Sequence, residues 1–294
     1  MVEIHSLAVI GPGKVGTAVA FAARRAGVRE IYLGGRHQDR TEAAAKLVEG
    51  AKAWRVAEAA NHAELVLICV SDDQIALVAK QLAQEEAFRK GAVVAHLSGA
   101  LDSEVLQPAV ELCGALTASA HPLKTFPSVA AAIAEEPGTH WFLEGDSEAV
   151  KTISAFVERL GDFPHAITRE GKAIYHAASV VACNYLTTLM DTALEMMEQA
   201  DIDRDIAWAA LKPLVFRTME NIDKMGPEAA LTGPIARADE GTVLKHVTAL
   251  QNSPASQRML YVALALKTVE LARRKGSIDE GAATKISEKL GQMF

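Results

Sequence analysis

Leu7-Ala8-Val9-Ile10-Gly11-Pro12-Gly13-Lys14-Val15-Gly16 is the stretch that decides the fold. Four apolar residues stop abruptly at Gly11, and the Ala-rich run from Lys14 to Gly27 then reads as a helix ended by glycine. A buried strand that passes into a helix through G-x-G-x-x-G predicts a βα unit whose turn holds a dinucleotide. Each glycine has its own reason. Gly11 permits the tight turn, Gly13 lets the backbone approach a pyrophosphate, and Gly16 lets the helix lie close on the strand. Pro12, Lys14 and Val15 complete the loop. The helix start then turns free N–H groups and a positive dipole end toward the phosphates.

Outward from this loop, short apolar runs alternate with helical stretches. Glu30 to Leu33 reads as a second strand stopped by Gly34-Gly35, and Thr41 to Gly50 as a helix. Leu65 to Val70 is a strand, followed by a helix from Gln74 to about Phe88. Val93 to Leu97 is another strand, and Ala115 to Ala120 and Trp141 to Leu143 are weaker ones. This order predicts the α/β class, with a parallel sheet and right-handed crossovers. After about residue 168 the strand signal stops. Glu170 to Ala200 reads as one long helical stretch, with further helices at 204–225, 242–251, 254–275 and 280–294. Pro213, Gly226-Pro227, Gly233-Pro234 and Pro254 punctuate them. The expected division is a Rossmann-type α/β domain at 1–168 and an all-helical domain at 169–294.

Composition narrows the classes. The 294 residues are 50% hydrophobic and 23% charged, enough apolar side chain for a large core, which excludes general disorder. Thirty basic against 37 acidic residues give a net charge of −7, which argues against a nucleic-acid-coating surface. Aromatics are 5% of the chain, too few for a stacking platform along a single strand. Cys69, Cys113 and Cys183 are far apart and form no CxxC, so neither a disulfide framework nor a metal site is expected. No apolar run approaches the roughly 20 residues of a membrane span, and the N-terminus, with Glu3 and no basic segment, does not read as a signal peptide. A cytoplasmic protein is expected.

Ligands of an open α/β sheet sit beyond the carboxyl ends of its strands. At the end of the second strand an NAD site usually carries an acid for the ribose 2′-OH. Here Gly35 is followed by Arg36, 20 residues after Gly16, with His37 and Arg40 nearby. A guanidinium fork suits a 2′-phosphate, so NADP(H) is expected over NAD(H). Val70-Ser71-Asp72 follows the next strand and reads as a helix cap with backbone contact to the cofactor ribose. His96-Leu97-Ser98-Gly99 ends another. Ser98 can donate to the cofactor or to a substrate carboxyl, and Gly99 leaves room for the nicotinamide. His96 has a plain reading as a satisfied buried histidine.

In His121-Pro122-Leu123-Lys124-Thr125-Phe126, His121 is a proton donor or acceptor candidate, and Lys124 a weaker candidate for an anion. His176 and Asn184, eight residues apart, would share one face of the long helix. Buried polar contacts at a helix crossing are the competing reading. In the loop Thr232 to Asp239, Arg237 is a candidate clamp for a carboxylate or phosphate, while Asp239 reads as a cap of the next helix. The Met and Leu stripe from Leu189 to Met197 reads as core or dimer interface.

VIGPGKVGTAVA, VSDDQI, HLSGAL, HPLKTF, YHAASVVACNYL and LTGPIARAD, in that order over nearly the whole chain, resemble the Rossmann-like oxidoreductases with a DUF2520 C-terminal domain. HPLKTF and LTGPIARAD are the specific motifs. The group is similar in architecture to pyrroline-5-carboxylate reductase, F420-dependent NADP reductase and the 6-phosphogluconate and 3-hydroxyisobutyrate dehydrogenase superfamily. The resemblance implies NADP-dependent redox chemistry and a homodimer joined through the helical domain. It implies no substrate, hydride direction or deazaflavin partner. In the related hydroxyacid dehydrogenases an early position of the long helix is a catalytic lysine with asparagine one turn on. The comparable stretch here has His176 and Val180, a departure that implies another proton donor or a different reaction.

The leading expectation is hydride transfer between a nicotinamide and a small, potentially anionic, carbonyl, imine or hydroxy substrate held between the two halves. His121 or His176 would move the proton, with Ser98, Asn184 and Arg237 orienting the substrate. The alternative is an NADP(H)-binding sensor or scaffold without turnover. A third reading, a helical interaction protein with a vestigial loop, conflicts with the intact Gly11, Gly13 and Gly16.

Overall fold

The computed structural model describes residues 4–292. Glu3 and the last two positions of the expected final helix lie outside them. The chain divides into two compact units, with the change between Asn184 and Tyr185.

The first unit is built on an eight-stranded sheet. Its strands are β1 (Ser6–Ile10), β2 (Glu30–Gly34), β3 (Lys52–Trp54), β4 (Leu65–Ile68), β5 (Val93–His96), β6 (Leu116–Pro122), β7 (His140–Gly145) and β8 (Phe163–Ala166). They lie in the order β3-β2-β1-β4-β5-β6-β7-β8. The central strands read as continuous apolar runs because both of their faces are covered. Leu7, Val9, Leu65, Leu67, Val93 and Ala95 face one way, onto Val19, Ala20 and Ala23 of α1 (Lys14–Arg25) and Ile153, Phe156 and Val157 of a later helix, Ser147–Arg159. Ala8, Ile10, Val66, Ile68 and Val94 face the other way, onto Ala59 and Ala60 of the helix Val56–His62 and Ile75, Ala79 and Leu82 of the helix Asp72–Gln84.

The sheet differs from the all-parallel expectation at one place. β7 pairs with β6 antiparallel, with Ser119 opposite Glu144 and His121 opposite Phe142. The connection from 123 to 139 carries only the short helix Val129–Ala134 and returns the chain along the adjacent edge in the opposite direction. β3 and β8 were not expected. β3 has three residues and no apolar run, and β8 carries Pro164 within a four-residue strand, which its place at the sheet edge accommodates.

The expected long helix at 170–200 is two helices. α8, as numbered in chain order, spans Lys172–Ala182 and the next spans Asn184–Glu198, with Cys183 at φ −116° and ψ −63° between them. His176 and Asn184 therefore do not share the face of one continuous helix.

The second unit is helical, with Arg204–Ala230, Glu240–Leu250, Ala255–Lys275 and Glu280–Gly291. Pro213 does not end the first of these but lies inside it, and the true break is Gly226 at φ 77°. Val243, Val247, Val262, Val269, Ile286 and Leu290 pack as its core. Two helices stay outside that core: Asn184–Glu198 buries no residue, and Arg204–Ala230 buries only Ala207. Ile206, Trp208, Leu214, Phe216, Met219 and Met225 on the latter are exposed. Arg274 binds Glu228, and Lys275 donates to the carbonyls of Ala229 and Leu231.

Candidate active site

Two glycines of the turn are required by its geometry, and the third leaves open space. Gly11 sits at φ +86°, and its N–H donates to the Gly34 carbonyl at 2.8 Å, tying the loop to the end of β2. A Cβ at Gly11 would stand 2.7 Å from Val70 Cγ1. At Gly16 it would meet the Gly11 carbonyl and Val9 Cγ1, both at 2.8 Å, because α1 lies hard against β1. At Gly13 a Cβ would meet nothing within 4 Å. Gly13 is also the N-cap of α1, with no side-chain cap and no acid in the first turn, so the orphan N–H groups there have no protein acceptor from a capping side chain. Pro12 is fixed by its carbonyl accepting from the Thr17 hydroxyl. Gly35 is crowded by Thr41 and Pro12, while Arg36 is exposed just beyond the end of β2.

A second group of side chains gathers around Gly99, at the carboxyl ends of β5 and β6. His96 is fully buried. Its Nε2 lies 2.9 Å from the Asp102 carbonyl and its Nδ1 accepts from the Ser98 N–H, which assigns the proton to Nε2. Burial pushes its pKa down to about 4, and the Asp102 contact offsets only part of this. Ser98 donates its hydroxyl proton to Asp72 at 2.7 Å and accepts from the N–H groups of Ala100 and Leu101. Its donor is thus committed within the protein, and the expectation that it donates to a ligand gives way to a positioning role. Ser71 occupies the N-cap position of the helix Asp72–Gln84 without a side-chain cap bond to the helix N–H groups, and Asp72 holds Ser98 instead of capping.

His121 and the helix α8 complete the group. His121 Nδ1 is 2.8 Å from the Tyr175 hydroxyl, and its ring stands edge-on to Tyr175 and to His176 with centroids 5.8 Å apart in each case. Burial, then the charges of Lys172 and His176, push His121 down to about 4. Tyr175 stacks at 4.4 Å on Phe142, and burial pushes its phenol up to about 12. A Cβ on Gly99 would be 2.4 Å from His176 Nδ1 and 2.9 Å from His121 Nε2. Both rings therefore converge on this residue because it has no side chain. His176 Nδ1 is buried there without a hydrogen-bond partner.

Lys172 is the residue that sequence reasoning missed. It opens α8, is 1% exposed, and donates to Ser119 Oγ at 2.5 Å. Burial lowers its pKa, against the pull of Glu144, Asp102 and Asp72. Glu144 is itself buried, accepting from the N–H and the hydroxyl of Ser103, each at 2.8 Å. The available signal was a lysine one turn before His176, at the start of the helix.

The register explains why these groups meet. Ser119 and His121 lie on one face of β6, and their antiparallel partners Glu144 and Phe142 lie beside them on β7. Lys172 and Tyr175, three residues apart on α8, face the two pairs in turn.

Lys124, Asn184 and Arg237 were the other expected residues. Lys124 is paired with Glu135 at 2.8 Å, so it has a structural partner. Asn184 is exposed beyond the break at Cys183. Arg237, in the second unit, is exposed, and Asp239 caps the following helix by accepting from the Thr242 N–H and hydroxyl. Among the described residues no group of three or more His, Cys, Asp or Glu could hold a metal ion, and no helix is long and apolar enough to cross a membrane. Burial raises the Cys69 thiol well above its ordinary range, which makes it inert.

Comparison with known proteins gives two domain matches. A Rossmann-like domain matches residues 3–122, and a domain of unknown function, DUF2520, matches residues 139–268. No curated protein matches the chain. Among solved structures, protein TM1727 of Thermotoga maritima is 24% identical over 92% of this chain and 99% of its own, with a TM-score of 0.71. BF3122 of Bacteroides fragilis, provisionally named an NADP oxidoreductase, is 24% identical over 90% and 98%, with a TM-score of 0.70. An imine reductase from Pseudomonas sp. is 20% identical over 97% and 99%, with a TM-score of 0.64.

Proposed function

Because the chain joins a Rossmann-like domain to a DUF2520 domain, we propose that it is an NADP(H)-dependent oxidoreductase acting on a small carbonyl, imine or hydroxy compound. The observation that carries the reading is the pairing of an open cradle at Gly13 with two histidine rings converging at Gly99, beyond the ends of β1 and β5, which flank β4 in one sheet. The residues present fit a dinucleotide. Gly11 and Gly16 hold the turn, Gly13 leaves the space of a missing Cβ, and the first turn of α1 supplies uncapped N–H groups. Lys14 and Val15 continue the loop, and Arg36, exposed just beyond the end of β2, is free to meet a 2′-phosphate under this reading. The nicotinamide, when bound, supplies the hydride chemistry.

The protein's own part is to bind, orient and manage one proton. His121 Nε2 is a proton-handling group, Lys172 a buried cation beside it, and Asp72, Ser98 and His96 fix the backbone of the Gly99 turn. The names of two similar structures, an NADP oxidoreductase and an imine reductase, support the reading. A homodimer joined through the exposed apolar helix Arg204–Ala230 is part of the same proposal.

Titration with NADPH and NADH tests it. Tighter binding of NADPH is expected, and Arg36→Ala is expected to bring the two affinities together. Equal affinities in the unaltered protein would remove the NADP assignment, and no binding of either would remove the reading. Nucleotide binding without turnover across a panel of ketones, aldehydes and cyclic imines would select the sensor instead.

A further inference from the structure

We propose that Tyr175 and His121 form a proton relay, in which His121 Nε2–H is the group that meets the substrate and Tyr175 refills the imidazole through Nδ1. The inference rests on the reductase reading above and adds the source and path of the proton.

The geometry carries it. The single contact between His121 Nδ1 and the Tyr175 hydroxyl, 2.8 Å long, admits two proton arrangements. If the imidazole donates, Nε2 is left as an acceptor; if the phenol donates, the imidazole proton sits on Nε2, and the relay uses this second arrangement. Nε2 is the nitrogen turned toward Gly99, so in the phenol-donating arrangement the imidazole N–H faces the site. Phe142, stacked on the Tyr175 ring, holds the phenol in place from the other side.

The histidine cannot store the proton itself. Lys172, His176, His96 and Asp72 are the charged or titratable groups whose fields reach it, and burial with the Lys172 charge holds it neutral near pH 7. A neutral imidazole that gives up Nε2–H must take a proton at Nδ1 in the same event. Tyr175 is the group in contact there.

The step balances as follows. Hydride from the reduced nicotinamide nucleotide forms a C–H bond at the C=O or C=N carbon, and the π electron pair moves to the heteroatom. The heteroatom takes the Nε2 proton, and the N–H electron pair stays in the ring. Nδ1 takes the phenolic proton, and the O–H pair stays on the phenolate oxygen. Water then reprotonates Tyr175. A phenol at about 12 is acidic enough to protonate an alkoxide at about 16 or an amine anion, so the transfer runs downhill.

Nitrogen-15 NMR of the histidine rings tests the relay without substrate or cofactor. The expected result is His121 in the Nε2–H form with Nδ1 as acceptor. In Tyr175→Phe, which keeps the ring on Phe142, the His121 nitrogens are expected to shift toward a mixture of tautomers. An Nδ1–H tautomer in the unaltered protein, or His121 shifts unmoved in Tyr175→Phe, would overturn the proposal. NADPH titration of both proteins separates the two readings. Unchanged affinity in Tyr175→Phe with turnover lowered about 10²–10⁴-fold supports the relay. Absent NADPH binding in the unaltered protein defeats the reductase reading and, with it, the relay.

Discussion

Gly13→Ala separates the cradle from the fold, because the three glycines of the turn carry different loads. At Gly13 the backbone is at φ −81°, which alanine adopts, and the added Cβ meets nothing within 4 Å. The free protein should lose no stability. Restricting the unfolded chain should even add about 0.4–1 kcal/mol. Gly11→Ala is the control. Its φ of +86° costs about 1–2 kcal/mol for an L-residue, and a Cβ 2.7 Å from Val70 Cγ1 and 3.1 Å from the Val70 nitrogen adds about 1–3 kcal/mol of overpacking. At roughly 2–4 °C per kcal/mol for a unit of this size, the two variants should melt several degrees apart. Nucleotide binding should fall in both. In Gly13→Ala the methyl occupies the approach path of the pyrophosphate and removes about one charge-assisted hydrogen bond, about 1.5–3 kcal/mol, or about 10- to 100-fold in Kd. Thermal melts of the free proteins and fluorescence titration with NADPH measure the two effects. A Gly13→Ala protein that melts as low as Gly11→Ala would show that the cradle is filled by protein. One that binds NADPH within twofold of the unaltered chain would show that the dinucleotide does not cross Gly13.

Acid should destabilise the protein before its carboxylates titrate. His96 takes a proton near 6.5 in the unfolded chain but only at about 4 when folded, so acidification through that window favours unfolding by up to about 3 kcal/mol. Urea unfolding at pH 7.5, 6 and 5 measures this, and a His96→Asn protein whose pH profile is as steep would refute the assignment. The exposed Leu214 and Phe216, 64% and 59% accessible, predict self-association through their helix. Sedimentation should give twice the chain mass, and Leu214→Asp with Phe216→Asp should give the monomer. A monomeric unaltered chain at tens of micromolar would end that argument.

How much of this was legible follows from where each signal resides. The glycine turn and the buried strands are local patterns, so β1, β2, β4 and β5 and the helices that follow β1, β2 and β4 could be read within a few residues. The helix Ser147–Arg159 was equally legible, with Ala149, Ile153, Phe156 and Val157 on one face, and was passed over. The antiparallel β7 was not legible, since a strand's direction depends on how its connection returns. The same limit hid the site. His121 is conspicuous beside Pro122, but Tyr175 becomes its partner only through the packing of α8 on β6, and Ser98 looks free until Asp72 is brought to it. Lys172 is a helix-start lysine like many others on a protein surface, and its burial is a tertiary fact.

The reversed strand β7 also decides which changes the molecule can tolerate. Ser119, His121, Phe142 and Glu144 share one face only in the present register, and a slip of one residue turns all of them away from α8. Such a slip keeps the strand count and most of the core, so a misregistered chain would pass as folded by circular dichroism while lacking its chemistry. The connection from 123 to 139, by contrast, joins two strands whose pairing is set elsewhere, and its length is free to drift. Insertions should therefore accumulate between Leu123 and Thr139, and single-residue deletions within β6 or β7 should be rarer among variants that still work than their distance from the glycine turn would suggest.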